Sequence, residues 1–473
     1  MAVIMSAVPE LDPDLLKKYD RAGPRYTSYP TAPSFHTDFG PEQYSQALQG
    51  GKPIPFGEEN PDLSLYFHIP FCDTLCYFCG CSMIVSNNRP RIQRYVSYLQ
   101  KEMEMVSALV DPSRKVQQLH WGGGTPTHLS PSEIRSLGEA IHKYYSFSDD
   151  CEASCEIDPR ELSEDHLRAL RDAGFQRISL GLQDLNPRVQ KAVNRIQSLE
   201  LTSGIVSMAR KLGFQSINID LIYGLPHQSV GSFAVTLEQV LELDPDRIAL
   251  FNFAYLPKMF KHHSVIQPED LPSASEKLQI LIQSVQRIAT SGYRFIGMDH
   301  FAKKDDELSR AQDRGDLYRN FQGYSTRKGL NLIAHGITGI GQVGATYSQN
   351  LKTEKEYFSA IDEGRLPVFR GYELNRDDIV RRHVITEIMC HFSLNFAAFE
   401  KLTGQSFRDY FAAELNQTGP DSLQSMAGDQ LLRIGEHALE VLPMGRFLVR
   451  NIAMCFDSHL ARTRSGGSFS RTI

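Results

Sequence analysis

The chain has 473 residues, of which 22% are charged, and its formal net charge is -6. It therefore offers no global basic field to nucleic acid or to an anionic membrane, and no apolar run reaches the roughly 20 residues of a membrane helix. We expect no nucleic-acid partner and no membrane span, and we expect local arginines to hold any anionic ligand.

The start of the chain carries neither a secretory apolar region nor an arginine-rich transit sequence, so we expect a cytoplasmic protein. Its length suggests two or three domains, or one large α/β barrel with additions. The one biased tract is a Ser/Gly/Arg-rich tail at 461–473.

Short β-type runs alternate with helical patterns through the first two-thirds of the chain. The predicted strands are 63–69, 116–121, 152–157, 176–182, 216–222, 247–253 and 293–298. Two clear helices are predicted between them, at 91–109 and 131–145, the second with Ser130 as N-cap and Pro131 at N1. Such alternation requires parallel strands joined by crossover helices, and about six or seven units favour a partial or complete β/α barrel over an open sheet.

From about residue 354 the strand signals fade, and 377–395 and 397–415 have the pattern of amphipathic helices. We therefore predict an α/β protein in three parts. These are an N-terminal extension at 1–50 that covers the substrate site, a β/α barrel domain at 51–353, and a smaller, mainly helical domain at 354–473.

In a barrel of this kind the chemistry lies at the carboxyl ends of the strands. Unusual residues lie in or directly after five successive predicted strands: a cysteine loop after the first, the glycine-rich residues 122–125 after the second, Glu156 at the end of the third, Gln183 after the fourth and Asp220 within the fifth. A random scatter would rarely give such a placement, so we expect these residues to share one site.

Half of the eight cysteines lie in the segment "CDTLCYFCGC", at Cys72, Cys76, Cys79 and Cys81. A chain of this length does not need a disulfide staple, and closed zinc sites usually pair two Cys-x2-Cys knuckles, of which the second is missing. The spacing favours a four-iron, four-sulfur cluster with one iron open to a ligand, with zinc or structural thiols as the alternatives.

The same residues carry a resemblance. "CDTLCYFC" resembles the cluster loop of radical S-adenosylmethionine (SAM) enzymes, and "GGGTPT" resembles the segment that faces their cofactor. Further segments resemble, in order, the oxygen-independent coproporphyrinogen III oxidase family of haem biosynthesis. They include "GPRYTSYPTA", "YFHIPFC", "CYFCGC", "EIDPRE", "SLGLQD", "INIDLIYGLP", "MDHFAKKDDEL" and "RNFQGYST", and they extend from residue 23 to 326.

The resemblance implies a radical SAM barrel with a cluster on Cys72, Cys76 and Cys79, with Cys81 not a ligand. It also implies two SAM molecules. The first would contact Tyr66, Gly123 and Glu156. The second would contact Phe78, Gly124, Thr125, Gln183, Arg195, Asp220, Ala254 and Ile340.

Each implied role has a physical reason. Residues 122–124 are glycines, so backbone amides could approach a polar cofactor closely, and Tyr66 could lie over the adenosyl group. Arg195 could pair with a carboxylate in a fork, and Asp220 could bind an ammonium group or ribose hydroxyls. By pattern alone Arg195 reads as an exposed helix charge. Gly341 departs from the serine that the family commonly has there, so a backbone contact at Ile340 could remain but a hydroxyl contact could not.

The implied reaction is the oxidative decarboxylation of coproporphyrinogen III to protoporphyrinogen IX. A 5'-deoxyadenosyl radical would take a hydrogen from the β-carbon of a propionate, and loss of carbon dioxide and one electron would leave a vinyl group, on two propionates. Phe321 and Gln322 match positions tied to activity, and Arg21 and Arg25 are candidates for holding substrate carboxylates. We expect a monomer that receives electrons from a donor such as flavodoxin or ferredoxin.

Two alternatives have different signatures. A haem-binding trafficking protein of the same superfamily would bind haem without turning over coproporphyrinogen. A radical SAM methyltransferase would release a methylated product and S-adenosylhomocysteine. For the histidines near the site we expect His68 to be packed under the cysteine loop, and the pair His262 and His263 to be solvated.

Overall fold

A computed structural model describes residues 11–51, 61–460, 469 and 471. The first ten residues of the predicted N-terminal extension and most of the biased tail lie outside this range. The described chain forms two compact units. We call 35–277 with 329–373 the sheet unit, and 1–34, 278–328 and 374–473 the terminal unit. The predicted three-part division at 50 and 353 stays a prediction.

The strands of the described residues, in chain order, are β1 Leu63–Ile69, β2 Phe71–Cys72, β3 Ile84–Val85, β4 Lys115–Gly123, β5 Ser146–Ile157, β6 Arg177–Gln183, β7 Ser216–Tyr223, β8 Arg247–Asn252, β9 Tyr293–Gly297, β10 His300–Lys303, β11 Tyr318–Asn320, β12 Gly323–Ser325, β13 Asn331–His335, β14 Ile340–Val343, β15 Thr346–Asn350, β16 Val368–Glu373, β17 Ser393–Asn395, β18 Leu432–Ile434 and β19 Ala438–Val441.

The helices are α1 Pro13–Tyr19, α2 Pro41–Leu48, α3 Arg89–Ser107, α4 Pro131–Tyr144, α5 Glu164–Asp172, α6 Pro187–Ala192, α7 Leu199–Lys211, α8 Val230–Glu242, α9 Ala274–Thr290, α10 Glu307–Arg314, α11 Glu354–Asp362, α12 Arg376–His391, α13 Phe396–Thr403, α14 Phe407–Tyr410, α15 Ala412–Asn416, α16 Leu423–Gly428 and α17 Val449–Met454. None of these helices is long and apolar enough to cross a membrane.

The sheet unit contains one large sheet, with strand order β16-β15-β14-β13-β1-β4-β5-β6-β7-β8. The pairings from β13 through β1 to β8 are parallel, and those from β13 to β16 are antiparallel. The predicted α/β class is confirmed. Since the strand order is linear and β8 does not pair with β16 among the described residues, the sheet is a partial rather than a closed barrel.

Crossover helices cover one face of this sheet. Phe67 of β1 and Phe175 both pack edge-on against the fully buried Trp121 of β4, with ring centroids 6.5 and 4.8 Å away. The start of α4 agrees with the sequence prediction, because the Ser130 side chain accepts a hydrogen bond from the Glu133 amide and Pro131 is the first helical residue. Apolar residues on alternate strand positions therefore form the core, and the other positions face away from it.

The sequence pattern missed strands β13 to β15. All five residues of β13 are buried, but glycines at 336, 339, 341 and 344 break up the segment that follows it and give it the look of a loop. A Cβ at Gly336 would lie 2.7 Å from the His68 carbonyl, so this glycine permits the close approach of β13 to the end of β1.

The terminal unit contains small antiparallel groups: β9 with β10, β11 with β12, and the sheet β17-β19-β18. The region after residue 354 carries α11 to α17, as the helical prediction requires, but also β16 to β19. These strands have three to six residues each, too few for a clear period-two signal.

Candidate active site

Strand register aligns the polar residues of the sheet on one face. Tyr66 of β1 pairs with His120 of β4, and Glu156 of β5 pairs with Ser179 of β6. Along β6 and β7, Gly181 pairs with Asp220. Because side chains alternate along each strand, these positions all face the side opposite the apolar core. The sheet therefore gathers them at the carboxyl ends of its parallel strands, as expected from the sequence.

Backbone hydrogen bonds fix the cysteine loop to this edge. The Gly124 amide donates to the Ile69 carbonyl at 2.9 Å, and the Thr125 amide donates to the Phe71 carbonyl at 2.8 Å. At the far side of the loop, the Ser86 amide donates to the Cys72 carbonyl at 3.0 Å. The glycine-rich segment after β4 thus forms one wall of the loop.

The fold requires glycine at positions 122 to 124 whether or not a cofactor is bound. A Cβ at Gly124 would lie 2.4 Å from the Pro70 carbonyl oxygen, and one at Gly122 would lie 2.9 Å from Glu156 Oε2. Gly123 has φ +123°, in the region that favours glycine, and its amide donates to Glu156 Oε2 at 3.2 Å. Close packing of the backbone is therefore a reason for these glycines in addition to the close approach of a cofactor.

A cavity of about 330 Å³ opens between the cysteine loop and these strand ends. Its lining includes eleven of the predicted site residues: Cys72, Cys76, Phe78, Cys79, Gly123, Gly124, Thr125, Glu156, Gln183, Arg195 and Asp220. The structure thus brings together residues that are up to 148 positions apart in the chain, from 72 to 220.

The cysteines of this cavity have different neighbours. Cys72 Sγ lies 3.5 Å from Thr125 Oγ1. Cys76 is buried, and Arg160 and Arg195 each donate to its Sγ at 3.6 Å. Cys76 is therefore the cysteine of this cavity whose sulfur has two guanidinium donors.

Cys79 and Cys81 form a close pair. The Cys81 amide donates to Cys79 Sγ at 3.4 Å. A hydrogen bond from the Cys81 thiol lowers the pKa of Cys79, and the same bond raises the pKa of Cys81. These opposite shifts favour Cys79 over Cys81 as the thiolate. At the third cysteine, Cys72, burial raises the pKa to about 11.

These residues fit the expected cluster. Among the described residues, no three His, Cys, Asp or Glu side chains are grouped around the position of one metal ion. A four-iron cluster does not need that grouping, because each thiolate binds a different iron. Three cysteines with donors to their sulfurs, lining one cavity, are the arrangement that such a cluster requires.

Glu156 is the centre of a second polar group. His120 Nε2 lies 3.5 Å from Glu156 Oε1, and the His120 ring stacks on Tyr66 with 5.9 Å between centroids. Burial opposes ionisation of Glu156, but the His120 hydrogen bond and charge and the Gly123 amide together hold its pKa below the usual value. Burial, with the Glu156 charge, raises the pKa of Tyr66 well above its usual value. Glu156 is thus an anion and Tyr66 a neutral phenol at pH 7.

His68 is packed below the loop, as predicted. It is 6% exposed, its Nε2 lies 2.8 Å from the Ser82 carbonyl, and its Nδ1 lies 3.0 Å from the Tyr66 hydroxyl. Burial lowers the pKa of His68, which keeps the ring neutral at pH 7. Its contacts tie Tyr66 to the cysteine loop.

Asp220, Gln183 and Arg195 line the opposite side of the cavity. Asn218 Nδ2 donates to Asp220 Oδ1 at 2.6 Å, and Ser179 Oγ donates to Asp220 Oδ2 at 3.1 Å. Burial raises the pKa of Asp220 to about 7, and repulsion from Glu156 contributes in the same direction.

Two buried polar atoms, one on Gln183 and one on Arg195, are available to a ligand. Gln183 Oε1 is buried and, within the described residues, has no hydrogen-bond partner. Arg195 is 7% exposed, rather than the exposed helix charge that its sequence pattern indicated, and its Nη1 donates to Asp158 at 3.0 Å. Its Nη2 donates to the Gly181 carbonyl, and its Nε has no partner among those residues. A buried unpaired acceptor and a buried unpaired donor are what a polar ligand would satisfy.

The other predicted site residues lie elsewhere. Tyr66, Ala254 and Ile340 are not in the lining of this cavity. Ala254 follows the carboxyl end of β8, and Ile340 begins β14. Phe321 and Gln322 form the turn between β11 and β12 of the terminal unit, where Gln322 Nε2 is buried without a partner among the described residues.

Two sequence expectations about charged or polar side chains need revision. The pair His262 and His263 is not simply solvated: His263 is 1% exposed, and His262 Nε2 lies 2.6 Å from the Cys79 carbonyl. Arg21 and Arg25, the candidate carboxylate ligands, are paired with Asp421 and Asp299. Local sequence could not show these partners, because most of them lie far along the chain.

Sequence reasoning missed Asp158 and Arg160 as site residues. Asp158 accepts from Arg160 at 2.6 Å and from Arg195 at 3.0 Å, and so holds both guanidinium groups at Cys76. Charged side chains in "EIDPRE", directly after a predicted strand that ends at the site, were the signal that could have found them.

Comparisons with known proteins agree with this geometry. The family model of the radical SAM superfamily matches residues 66–240. An oxygen-independent coproporphyrinogen III oxidase of Escherichia coli is 45% identical over 99% of this chain and 100% of its own. That of Pseudomonas aeruginosa is 44% identical over 98% of each chain. A solved structure of coproporphyrinogen III oxidase from Escherichia coli, a radical SAM enzyme, superposes with TM-score 0.89 at 44% identity and covers 96% of this chain and 100% of that one.

Proposed function

The chain belongs to the family of oxygen-independent coproporphyrinogen III oxidases, and from that premise we propose that it converts coproporphyrinogen III to protoporphyrinogen IX in anaerobic haem biosynthesis. The observation that carries the proposal is the meeting of three cysteines, the glycine-rich segment, Glu156 and Asp220 around one cavity at the carboxyl ends of the parallel strands. Full-length similarity to the relatives supports the substrate.

We assign the cluster to Cys72, Cys76 and Cys79, with one iron left open for SAM. When bound, the reduced cluster and SAM supply a carbon-centred radical that removes a hydrogen atom from a propionate β-carbon. The thiolates are supported by the donors already described, with Arg160 and Arg195 at Cys76. Cys81 acts as a donor to Cys79 rather than as a ligand.

We assign Glu156, Gly123 and Tyr66 to the first SAM. Glu156 is anionic and can accept hydrogen bonds from an amine or ribose. The neutral Tyr66 ring stacks on His120, and His120 in turn lies 3.5 Å from Glu156. His68 holds the Tyr66 hydroxyl, so the ring cannot turn freely. Together these residues would orient the adenosyl end of the cofactor.

The second SAM remains a proposal with its own support. Gln183 and Arg195 offer the unpaired buried acceptor and donor, and Asp220 offers a carboxylate that ionises near pH 7. Phe78, Gly124 and Thr125 line the same cavity, and we keep Ala254 as a contact and Ile340 as a backbone contact. Phe321 and Gln322 would take part in positioning the substrate.

We also propose where the protein acts, its oligomeric state, its source of electrons and its domain division. We expect a cytoplasmic monomer that accepts single electrons from a reduced carrier such as flavodoxin or ferredoxin. We keep the three-part division of the chain as well, with residues 1–50 as a cover of the substrate site, 51–353 as the radical SAM domain, and 354–473 as a mainly helical domain.

The test is anaerobic reconstitution of the cluster, followed by mass analysis of products from coproporphyrinogen III with SAM and a reductant. We expect two propionates to become vinyl groups, with release of methionine and 5'-deoxyadenosine. Tight haem binding without turnover would instead support the trafficking alternative, and methylated product with S-adenosylhomocysteine would support a methyltransferase.

A further inference from the structure

A basic and partly apolar surface lies beside the cysteine loop in the sheet unit. The segment between β8 and α9 carries exposed Lys258, Met259 and Lys261, with Met259 57% exposed. His262, the next residue, contacts the Cys79 carbonyl at 2.6 Å, so this segment lies directly against a proposed cluster ligand. Phe260 lies 3.6 Å from the position of a Cβ on Gly80.

Helix α6 and the residue stretch after it extend this surface. Arg188, Lys191 and Ile196 are exposed there, and Ile196 is 70% exposed. The Val193 carbonyl accepts from the Tyr77 amide at 3.0 Å, and Asn194 Nδ2 donates to the Leu75 carbonyl at 2.8 Å. This segment is therefore also bonded to the cysteine loop.

Both segments pack on one apolar cluster beneath Tyr77 and Phe78. We call their exposed residues the loop face, and they are Arg188, Lys191, Ile196, Lys258, Met259 and Lys261. The loop face has four positive charges; 187–196 contains no acidic residue, and the acidic residues of the segment between β8 and α9, Glu269 and Asp270, come at least eight positions after Lys261. The chain as a whole carries a net charge of -6, so this face is a local reversal of the overall sign.

We propose that the loop face is the docking surface for an acidic one-electron carrier protein that reduces the cluster. The inference rests on the proposed function, which requires an electron from outside the chain. Opposite charge steers such a carrier to the face, and the exposed Ile196 and Met259 supply apolar contact. One electron passes from the carrier to the cluster, so the carrier is oxidised and the cluster reduced by one electron, with no bond made or broken.

The test measures cluster reduction directly. Anaerobic reconstituted enzyme is mixed with a reduced, acidic bacterial flavodoxin, and the loss of cluster absorption is followed at low and high salt. We expect Lys258→Glu with Lys261→Glu to lower the second-order rate constant at least tenfold at low salt, and the difference to shrink at high salt because ions screen the attraction. Reduction by dithionite, which needs no docking, should be unchanged.

The control pair is Lys115→Glu with Lys211→Glu. Both lysines are exposed, and they lie at the amino ends of β4 and β7, away from the strand ends that hold the cysteine loop. This pair changes net charge equally and should leave the flavodoxin rate near that of the unmodified enzyme. Equal slowing in both pairs, or no slowing in either, would overturn the proposal.

A second measurement uses the unmodified enzyme. Carbodiimide coupling to flavodoxin, mapped by mass spectrometry, should join carrier carboxylates to Lys258, Lys261 or Lys191. Coupling confined to other lysines would contradict the assignment. If dithionite-reduced enzyme makes no vinyl product while flavodoxin still reduces its cluster, the proposed function fails and the docking surface stands.

Discussion

At the scale of single residues, the three proposed ligands differ from Cys81 in what surrounds their sulfurs. Cys76 has two guanidinium donors, and Cys79 accepts from Cys81. We expect serine at position 72, 76 or 79 to remove most iron and the broad iron–sulfur absorption after reconstitution. Cys81→Ser should retain the cluster, and Cys151→Ser is the control. Loss in Cys81→Ser with retention in Cys76→Ser would contradict the ligand assignment.

Arg160 is expected to tune the cluster through Cys76. Its Nη2 donates to the sulfur at 3.6 Å, and donors to ligating sulfurs raise the reduction potential. Arg160→Gln should lower the potential by roughly 60 mV, equivalent to a tenfold change in the equilibrium constant. A spectroscopic redox titration measures it, with exposed Arg168→Gln as the control. An unchanged potential would mean that Arg160 only supports the loop.

Asp220 gives the site a pH dependence. Its pKa is raised from 3.8 to about 7, so between these values the folded protein keeps a proton that the unfolded chain has lost. Stability contributed by Asp220 therefore falls as pH rises from about 4 to about 7. In the cluster-free protein, Asp220→Asn should raise the melting temperature relative to the original chain by roughly 2–6 °C more at pH 8 than at pH 5.

The control for this measurement is Asp172→Asn, an exposed carboxyl at the end of α5 that pairs with Arg135. Its effect on melting temperature should be the same at both pH values. If Asp220→Asn behaves in the same way, the carboxylate titrates normally and the repulsion by Glu156 is not significant.

At the scale of elements, the β11–β12 hairpin is predicted to act on turnover rather than on folding. Gln322 sits in its turn, with Nε2 buried and unpaired within the described residues. If it orients substrate or cofactor, Gln322→Ala should slow vinyl formation roughly ten- to a thousand-fold. Melting temperature and iron content of the same purified variant should stay normal.

Gln312→Ala is the matched comparison. Gln312 lies on α10 of the same unit, and its side chain donates to the Ile296 carbonyl at 2.8 Å, a purely structural bond. This variant should lose stability but keep turnover per folded enzyme. The same result in Gln322→Ala would assign the hairpin a packing role.

At the scale of the whole molecule, one buried carboxylate joins chain segments that are distant in sequence. Glu102 of α3 is 1% exposed and accepts hydrogen bonds from the Gly336 amide, Asn350 Nδ2 and the Tyr357 hydroxyl at 2.6–2.7 Å. Glu102→Ala leaves these donors buried without an acceptor, so we expect a loss of about 3 kcal/mol or more in unfolding free energy. Denaturant unfolding measures it, and exposed Glu104→Ala should have little effect.

The sequence by itself determined the parallel α/β class, the positions of strands β1 and β4 to β8, and many of the residues that line the cavity. It could do so because these depend on local periodicity and on motifs such as the cysteine loop. Glu156 and Asp220 lie in recognisable strands, so their place at one edge of the sheet followed from the pattern, whereas Tyr66 followed from the resemblance.

Only the tertiary structure decided which groups meet. β13 pairs with β1 although 261 residues lie between Ile69 and Asn331, and the glycine-broken segment after β13 carried no strand signal.

 Such pairing is set by long-range burial, which a local window of sequence does not contain. Likewise Arg195 reads as a surface charge until Asp158 and Cys76 are placed beside it.

The protonation states of the site were also decided by the fold. Burial and the Glu156 charge raise the pKa of Asp220, whereas the His120 hydrogen bond and charge and the Gly123 amide lower the pKa of Glu156 against the effect of burial. These partners come from three different strands, β4, β5 and β7, and only their parallel register brings them within reach. Residue types and motifs thus follow from the chain itself, whereas charge and contact at the site follow from segments that folding brings together.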